Sequence, residues 1–453
     1  MKRLIHITLL FSLFSCINGN KIDKNIIKDA NLEYKKYIPN GNEIIISRSN
    51  YFNKLKGFWL AQCIANWTGL ITEMDKTGNI GKLKTGPFYT RDDWGKEDQP
   101  AFWQKKEEIS RNIDFVFEGS DGIWGADDDT DIEYIYQHLL YTNKTTKLTG
   151  DQIRNGWLKH IKNEEENFLW VSNQRALDLM ISGLVPPATS DPKNNPDFDM
   201  IDAQLTTEIF GFYSPSNPDF AVKMAELPIQ TTARFNAEWI SKFYVSMYSL
   251  AANPDPELSI KDNLLIIAEK SRKQLPNDSY ASKMYDFIKK QYIEGLEWEI
   301  IRDNIYQRYQ VEHKDGYDYS SGISKEEIEK CNGCAAAGIN FAASLISLFA
   351  GEGDLKNTIK IASLMGWDSD NPTATWGGLI GFMIGYDAVE KVFERSFSEE
   401  YNIHRTRQNF PSGIDNFTNM ANIGIFITDR VIQEELGGGI DLDNNLWYIP
   451  SFN

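Results

Sequence analysis

The sequence predicts an all-α protein with a single domain. Apolar residues recur at spacings of three and four along most of the chain, and no segment shows the alternation typical of a strand. The clearest helical patterns lie over residues 51–69, 132–139, 153–161, 235–250, 280–287, 335–348, 355–364, 379–392 and 420–432. No Ser- or Pro-rich linker interrupts residues 50–436. We therefore expect roughly a dozen helices around one core.

Composition supports one large globular domain and argues against two classes of partner. The chain has 453 residues, of which 42% are hydrophobic and 25% are charged, which is enough for a large core. Its formal net charge is −17. Because nucleic-acid backbones and anionic membrane surfaces bind basic proteins, we expect neither as a direct partner. The sequence makes no prediction of the oligomeric state.

The N-terminus is typical of a targeting segment. Lys2 and Arg3 precede an apolar run over residues 4–14 that is too short to span a membrane as a mature helix. The end of this run resembles a bacterial lipobox, with Cys16 as the acylated residue. We therefore expect residues 1–16 to be a signal peptide and the protein to lie outside the cytoplasm, touching a bacterial membrane only through a lipid anchor. Simple secretion is the alternative.

A weakly apolar segment separates this leader from the helical patterns. Residues 17–47 are rich in Lys and Asn, as expected of a tether between a lipid and a domain. We therefore predict that the domain spans residues 48–453.

Three further cysteines remain. Cys331 and Cys334 are separated by two residues, whereas Cys63 is single. The pair could be a local disulfide, a redox pair or half of a zinc site, but no second pair and no nearby His completes a zinc site. In an oxidising compartment a local disulfide or simple packing is favoured.

The first helical pattern ends just before Glu73 and leads into an irregular segment. Residues 74–120 lack a clear period and include Phe88 and Trp94. A long irregular segment inside a compact domain often covers a site. We therefore treat Phe88, Trp94 and Trp124 as candidate walls of a substrate pocket, with core packing as the alternative for each.

Two short acidic breaks interrupt the apolar helical patterns. In chain order, their polar side chains are Asp127, Asp128, Asp129, Asp368, Asp370 and Asn371. Carboxylates beside apolar sequence are costly to bury unless they bind a cation or another partner. Together the two breaks offer an all-oxygen ligand set that suits Mg²⁺, Mn²⁺ or Ca²⁺ rather than Zn²⁺.

Each break also has a simpler interpretation, because acids in the first turn of a helix stabilise that helix. Spacing excludes an EF-hand at the first break, since the sixth position from Asp127 is Ile132 and the twelfth is His138. If both breaks meet at one cation, the helices between them must belong to one domain.

The order of these motifs resembles the ADP-ribosylglycohydrolase family. The resemblance covers roughly residues 50–395 and rests on three motifs, which are the helix over residues 54–60 that leads to Glu73, the Asp127-Asp128-Asp129-Thr130 run, and Gly366-x-Asp368-x-Asp370. It implies an all-α orthogonal helical bundle with a binuclear metal site that holds two Mg²⁺ or two Mn²⁺ ions.

The resemblance also implies a role for each candidate residue. The implied metal ligands are Asp127, Asp128, Asp129, Asp368, Asp370 and Asn371, with Asp370 between the two metals. Asp128 and Asp368 would also orient the reacting groups, and Glu73 would handle the proton. The implied activity is hydrolysis of a glycosidic bond by a metal-bound water. It would release ADP-ribose, or a related ribosyl or glycosyl group, from a small-molecule, ADP-ribosylated or glycosylated substrate.

The sequence departs from the family in the segments that bind ADP-ribose. Family members usually carry a Gly-Asn-Gly-rich segment and a Thr-His pair, whereas this chain has Ile201-Asp202-Ala203-Gln204 and then Gln230-Thr231-Thr232. Backbone nests for anions need Gly. The resemblance therefore specifies a metal-dependent hydrolase of a glycosidic bond and leaves the released group open.

Two other functions fit the same residues. A catalytically inert, metal-stabilised surface lipoprotein would use the cleft to bind a nucleotide or a glycan. A structural all-α protein would use its acids only as helix caps, and it would gain no stability from Mg²⁺ or Mn²⁺.

Overall fold

A computed structural model describes residues 27–80, 83–100, 110–119, 121–162, 167–320, 322–325, 328, 331 and 333–451. Over these residues the protein is mainly helical, which confirms the predicted fold class. The predicted signal peptide and Cys16 lie outside the described residues. Within the described ranges, each helix is too short or too polar to span a bilayer.

The described helices are distributed between residues 48 and 434. They are α1 Arg48–Gly69, α2 Asp128–Thr142, α3 Gly150–His160, α4 Val171–Ile181, α5 Asp202–Thr206, α6 Phe210–Tyr213, α7 Pro218–Ile229, α8 Asn236–Ala251, α9 Ile260–Ser271, α10 Tyr280–Ile293, α11 Trp298–Ile305, α12 Ala337–Gly351, α13 Leu355–Ser363, α14 Asp370–Ile384, α15 Tyr386–Phe393 and α16 Phe417–Glu434. A π-helical turn, Tyr306–Val311, continues α11.

Short polar side chains set several helix starts. Ser47 accepts a hydrogen bond from Asn50 N at the start of α1, and Thr149 forms a capping box with Gln152 at the start of α3. These contacts satisfy backbone N–H groups that have no partner within the helix. The ends of the amphipathic segments are therefore encoded locally.

Helices α1 and α14 pack antiparallel along a seam of small residues. A Cβ on Gly381 would lie 2.3 Å from Ala61 Cβ, and one on Gly377 would lie 2.3 Å from Ala65 Cβ. At the end of the seam, a Cβ on Gly69 would lie 2.4 Å from Asp370 Cα. The missing side chains let the two helix backbones approach closely. This packing places the first residue of α14, Asp370, against the last turn of α1.

Five short strands, which the sequence did not predict, occur in the described part of the chain. They are β1 Glu43–Ser47, β2 Glu400–Asn402, β3 Ile414–Asn416, β4 Gly439–Asp441 and β5 Leu446–Pro450. The order β1-β5-β4 forms one antiparallel sheet, and β2 and β3 form another. Strands of three to five residues are too short for alternation to be recognised in sequence.

The structure corrects the predicted tether, because residues 27–47 pack on the domain. Strand β1 pairs with β5 from Glu43↔Pro450 to Ser47↔Leu446. Tyr34 donates its hydroxyl hydrogen to Asp429 Oδ2 at 2.7 Å, and Arg48 Nη2 donates to the same oxygen at 2.7 Å. The predicted domain boundary at residue 48 is therefore too late.

Cys331 and Cys334 form a disulfide, which is one of the two outcomes favoured by the sequence. Cys63 is a buried free thiol. Next to the disulfide, Ala335 O accepts a hydrogen bond from Ile201 N. The disulfide loop is therefore attached to the segment that enters α5.

Candidate metal centre

The structure brings the two acidic breaks together. Carboxylate oxygens of Asp127, Asp129 and Asp370 lie within 4.8 Å of one another, and those of Glu73, Asp368 and Asp370 do the same. Asp370 belongs to both groups. Five of the carboxylates that sequence analysis selected therefore converge, although the two breaks are far apart in the chain.

Backbone pairing positions the second break. Trp367 N donates to Lys76 O at 2.8 Å, and Met74 N donates to Trp367 O at 2.7 Å. Because Glu73 directly precedes Met74 and Asp368 directly follows Trp367, this pairing sets the two carboxylates side by side. The backbone that directly follows α1 therefore helps to position Glu73 and Asp368.

Left-handed backbone makes this turn possible. Gly366 has φ of +95°, and a Cβ there would lie 2.5 Å from Lys76 O, so glycine is required. Trp367 also has a positive φ, +56°, which is costly for a bulky residue. Its indole is fully buried, packs 4.8 Å from the Phe88 ring and donates Nε1–H to Gln310 Oε1. Phe88 therefore packs on the Trp367 indole and supports the second acidic break.

Two of the predicted pocket walls do not line the acidic groups. Trp124 is fully buried, packs on Trp67 and donates Nε1–H to Ser398 O, so it has no face for a ligand and belongs to the core. Trp94 packs on Phe115 and lines a surface groove of about 800 Å³. None of the acidic-site residues lines that groove.

Asparagine side chains, which sequence analysis mostly missed, hold the acids in place. Asn66 Nδ2 lies 2.8 Å from Asp127 Oδ1, 3.3 Å from Asp129 Oδ2 and 3.4 Å from Asp370 Oδ2. Asn371 Nδ2 lies 3.3 Å from Asp129 Oδ1. Only Asn371 was among the predicted residues. An asparagine on the apolar face of α1 was the available signal for Asn66.

Asp128 stands apart from both carboxylate groups. It is partly exposed, and its Oδ2 lies 3.3 Å from Asn173 Nδ2. Asp202 fixes that asparagine by accepting a hydrogen bond from Asn173 N at 3.0 Å. Asp128 therefore lies beside the two groups of three acids rather than within either of them.

Asn340 connects the second break to the disulfide loop. Its Oδ1 accepts a hydrogen bond from Asp368 N at 3.1 Å, and its Nδ2 donates to Cys334 O at 2.8 Å and to Ala336 O at 3.0 Å. The side chain is fully buried. The disulfide loop thus helps to set the backbone of Asp368.

Burial and mutual repulsion dominate the electrostatics of the site. Desolvation raises the pKa of Asp129 and Asp370 well above the usual range, and the neighbouring carboxylates raise both further. The pKa of Asp128 and that of Asp368 are raised for the same first reason. A cluster of this kind is unstable as a set of bare anions.

The residues present fit divalent cations. Asp370 Oδ1 and Asn66 Oδ1 are buried and have no hydrogen-bond partner among the described residues, which is unusual for polar atoms. Cations between the carboxylates would satisfy the Asp370 oxygen and offset the repulsion. Oxygen ligands without His or Cys suit Mg²⁺ or Mn²⁺.

Comparison with known proteins identifies the family. The ADP-ribosylglycohydrolase family matches residues 47–409. The chain belongs to this family. One solved structure, described as an "ADP-ribosylglycohydrolase-related protein complex", aligns with a TM-score of 0.48 and 14% identity over 84% of this chain and 99% of that chain. A search of curated proteins found no match.

Membership of the ADP-ribosylglycohydrolase family points to a glycohydrolase-type enzyme. The acidic groups of this member could hold metal. The family thus confirms the resemblance seen in the sequence, together with its fold class.

Proposed function

We propose that the protein hydrolyses a glycosidic bond with the help of two divalent cations, Mg²⁺ or Mn²⁺, and releases ADP-ribose or a related ribosyl or glycosyl group. Family membership supports the reaction class. The observation that supports the metal centre best is the position of Asp370, whose carboxylate is common to two groups of three acids.

The carboxylates would divide the task of holding the cations. Asp127 and Asp129 would hold one and Asp368 the other, and Asp370 would serve both, while Glu73, the third acid of the second group, would exchange the proton rather than bind a cation. When bound, the cations would supply Lewis acidity that holds vicinal hydroxyls of the substrate and favours ionisation of a water. Asn66 keeps Asp127 in position through its 2.8 Å hydrogen bond.

The partly exposed acids would act on the substrate side. Asp128 and Glu73 are partly exposed, whereas Asp129 and Asp370 are buried. We assign Asp128 and Asp368 to the orientation of the reacting groups and Glu73 to the transfer of the proton. These roles come from the family resemblance. The position of Asp128, hydrogen-bonded to Asn173 outside both groups, agrees with an orienting role.

Activity is tested with the chain from residue 21 and a panel of substrates. ADP-ribosyl-arginine, ADP-ribosyl-serine, nucleosides and aryl glycosides are incubated with Mg²⁺ or Mn²⁺, and the products are separated by chromatography. Asp370→Ala removes the shared carboxylate, and Asp443→Ala, in an exposed turn, is the matched control. We expect at least one substrate to be cleaved by the wild type and by Asp443→Ala, but not by Asp370→Ala.

The outcomes separate the alternatives. Release of ADP-ribose would identify the inherited substrate, whereas cleavage of aryl glycosides alone would assign the site to another sugar. Metal binding without any cleavage would refute hydrolysis and favour the inert surface lipoprotein that binds a nucleotide or glycan.

A further inference from the structure

An arginine with free hydrogen-bonding capacity lies beside the first acidic break. Arg405 is partly exposed and donates from Nη1 to Ala126 O at 2.6 Å, and Ala126 directly precedes Asp127. The approach is close, since a Cβ on Gly125 would lie 2.8 Å from Arg405 Cδ. The guanidinium is therefore built into the edge of the site.

Two aromatic rings flank this guanidinium. Its central carbon lies 5.9 Å from the ring centroid of Trp67 and 5.6 Å from that of Phe168, both within cation–π range. Trp67 directly follows Asn66, which holds Asp127. Arg405 and Trp67 are therefore connected to the acidic centre through Ala126 and Asn66, which each stand next to or contact Asp127.

The backbone holds Phe168 in an unusual exposed position. Phe168 is 57% exposed and has φ of +54°, which is unfavourable for an aromatic residue. Its neighbours impose this conformation, because Leu169 N donates to Asn167 Oδ1 at 2.9 Å and the buried Arg407 donates to Asn167 O. The exposed ring is thus held beside Arg405 by its surroundings.

A second arginine, Arg395, has the ion pair that Arg405 lacks. Arg395 also lies over two rings, 4.5 Å from Phe117 and 4.9 Å from Phe397, but it forms an ion pair with Glu118 at 2.9 Å. Arg405 has no carboxylate within 4.0 Å among the described residues, and its Nε and Nη2 make no hydrogen bond to them. Arg405 Nε and Nη2 are also accessible to solvent, because a buried nitrogen without a hydrogen-bond partner would count among the unsatisfied buried atoms and neither of them does.

Asp131, an acid in the first turn of α2, contacts other groups. Asp131 accepts a hydrogen bond from the Tyr401 hydroxyl and lies 4.0 Å from Arg407 Nε. Among the described residues, the open edge of Arg405 therefore faces no carboxylate within 4.0 Å, in a chain whose net charge is −17.

We propose that Arg405, flanked by Trp67 and Phe168, is a subsite for an oxyanion of the substrate, either a phosphate or a carboxylate. The planar guanidinium presents two parallel N–H groups that match such an oxyanion. This subsite rests on the proposed function for its place next to the reacting sugar. It would supply through side chains the anion binding for which the chain has no Gly-rich backbone segment.

The subsite is tested by calorimetric titration of the Mg²⁺-loaded protein with ribose, ribose 5-phosphate and ribonate. We expect at least one of the two anions to bind more tightly than ribose. Arg405→Gln should weaken binding of that anion by about 10- to 100-fold and leave ribose unchanged, and Arg405→Lys should restore part of the loss. Arg395→Gln is the matched control and should change none of these affinities. The favoured anion identifies phosphate or carboxylate as the ligand.

A second variant distinguishes loss of anion binding from a local loss of structure. Replacing Arg405 also removes its bond to Ala126 O, whereas Phe168→Ala leaves that bond intact. Phe168→Ala should weaken anion binding by about threefold, with the Mn²⁺-induced shift in melting temperature unchanged. Equal affinity of the wild type for ribose and both anions would overturn the subsite. So would unchanged anion binding in Arg405→Gln and Phe168→Ala.

The two proposals fail in different ways. Binding does not need turnover, so a protein that binds the anion through Arg405 but cleaves no substrate would refute the proposed hydrolysis and keep the subsite. A protein that cleaves a substrate carrying a phosphate or a carboxylate at the same rate and affinity in Arg405→Gln would refute the subsite and keep the hydrolysis.

Discussion

Asp370 is the residue on which both carboxylate groups depend. Asp370→Ala should abolish the stabilisation by Mn²⁺, which for the wild type is about 2.7 kcal/mol at a metal concentration 100 times the dissociation constant. Without metal, the variant should be at least as stable as the wild type, because it lacks a buried carboxylate whose pKa is raised by burial and by neighbouring acids. Differential scanning calorimetry with and without Mn²⁺ measures both effects.

Asp443→Ala provides the comparison for that measurement, since it removes an acid from an exposed turn. It should respond to Mn²⁺ like the wild type. A full Mn²⁺ response in Asp370→Ala would show that the metal binds elsewhere.

Substitution of Asn340 tests whether its side chain stabilises the second acidic break. Asn340→Ala leaves Asp368 N and Cys334 O without their partner, so we expect a loss of about 1–3 kcal/mol in the free energy of unfolding. Because Asp368 would also be less well oriented, metal affinity should fall about 10- to 100-fold. Urea denaturation and metal titration measure the two effects. Asn357→Ala, on the exposed face of α13, should change neither.

At the residue scale, the sequence predicts acids better than amides. Asp127, Asp129, Asp368 and Asp370 stand out because charge beside apolar sequence demands a partner. Asn66 and Asn340 do not, since an uncharged amide within a helix is common and its partner depends on tertiary contacts. Trp124 was predicted as a candidate pocket wall but lies in the core, because its burial is decided by tertiary packing.

At the element scale, the seam between α1 and α14 controls the site. Gly377→Ala would place Cβ 2.3 Å from Ala65 Cβ, so the helices must separate, and we expect a loss of about 1–3 kcal/mol in stability. Adding Ala65→Gly removes the overlapping methyl group and should recover most of the loss, apart from the helix cost of about 1 kcal/mol for glycine. Denaturant titration of the single and double variants measures the coupling. Simple addition of the two single losses would contradict this close packing.

The contact between α2 and α3 predicts an acid-sensitive element. His138 on α2 lies 5.1 Å from His160 on α3, and both rings contact Phe410. Burial, helped by the charges of His160 and Lys159, lowers the pKa of His138 to about 4 from 6.5. Below pH 6.5 the unfolded chain therefore takes up a proton that the folded chain refuses, and stability falls as the pH drops towards 4.

We expect the effect of His138 to reach about 1 kcal/mol at pH 5, after allowance for its partial exposure. His138→Gln should lose less stability than the wild type between pH 7 and pH 5 in urea denaturation. Comparison of the two proteins isolates this residue from buried carboxylates such as Asp199, whose pKa is raised to about 7 by burial and which therefore act in the opposite direction. Parallel losses in both proteins would assign the acid sensitivity to other groups.

Helices long enough for the apolar pattern to repeat could be predicted from the sequence, whereas the short strands could not. The repeat of apolar residues from Phe52 to Trp67 marks α1 because its 22 residues give the pattern room to repeat. Strand β1 has five residues, and its partner β5 is almost the whole chain away. Pairing over that separation leaves no local signal, which is why the polar segment before α1 was predicted to be a tether.

At the scale of the whole molecule, the corrected boundary can be tested by truncation. A chain that starts at Arg48 loses β1, the Tyr34 contact to Asp429 and the bond from Arg48 to Ile27 O. We expect it to be less stable than a chain that starts at Ile27 by about 3 kcal/mol or more, because buried apolar area and a buried hydrogen bond are lost together. Urea denaturation compares the two chains, and equal stability would restore the tether.

Helix α1 also separates the sheet of β1 and β5 from the carboxylate centre. Its 22 residues rise about 30 Å from end to end, with the paired strands β1 and β5 at its first turn and the carboxylate centre at its last. Strand β1 and the carboxylate centre therefore lie about one helix length apart.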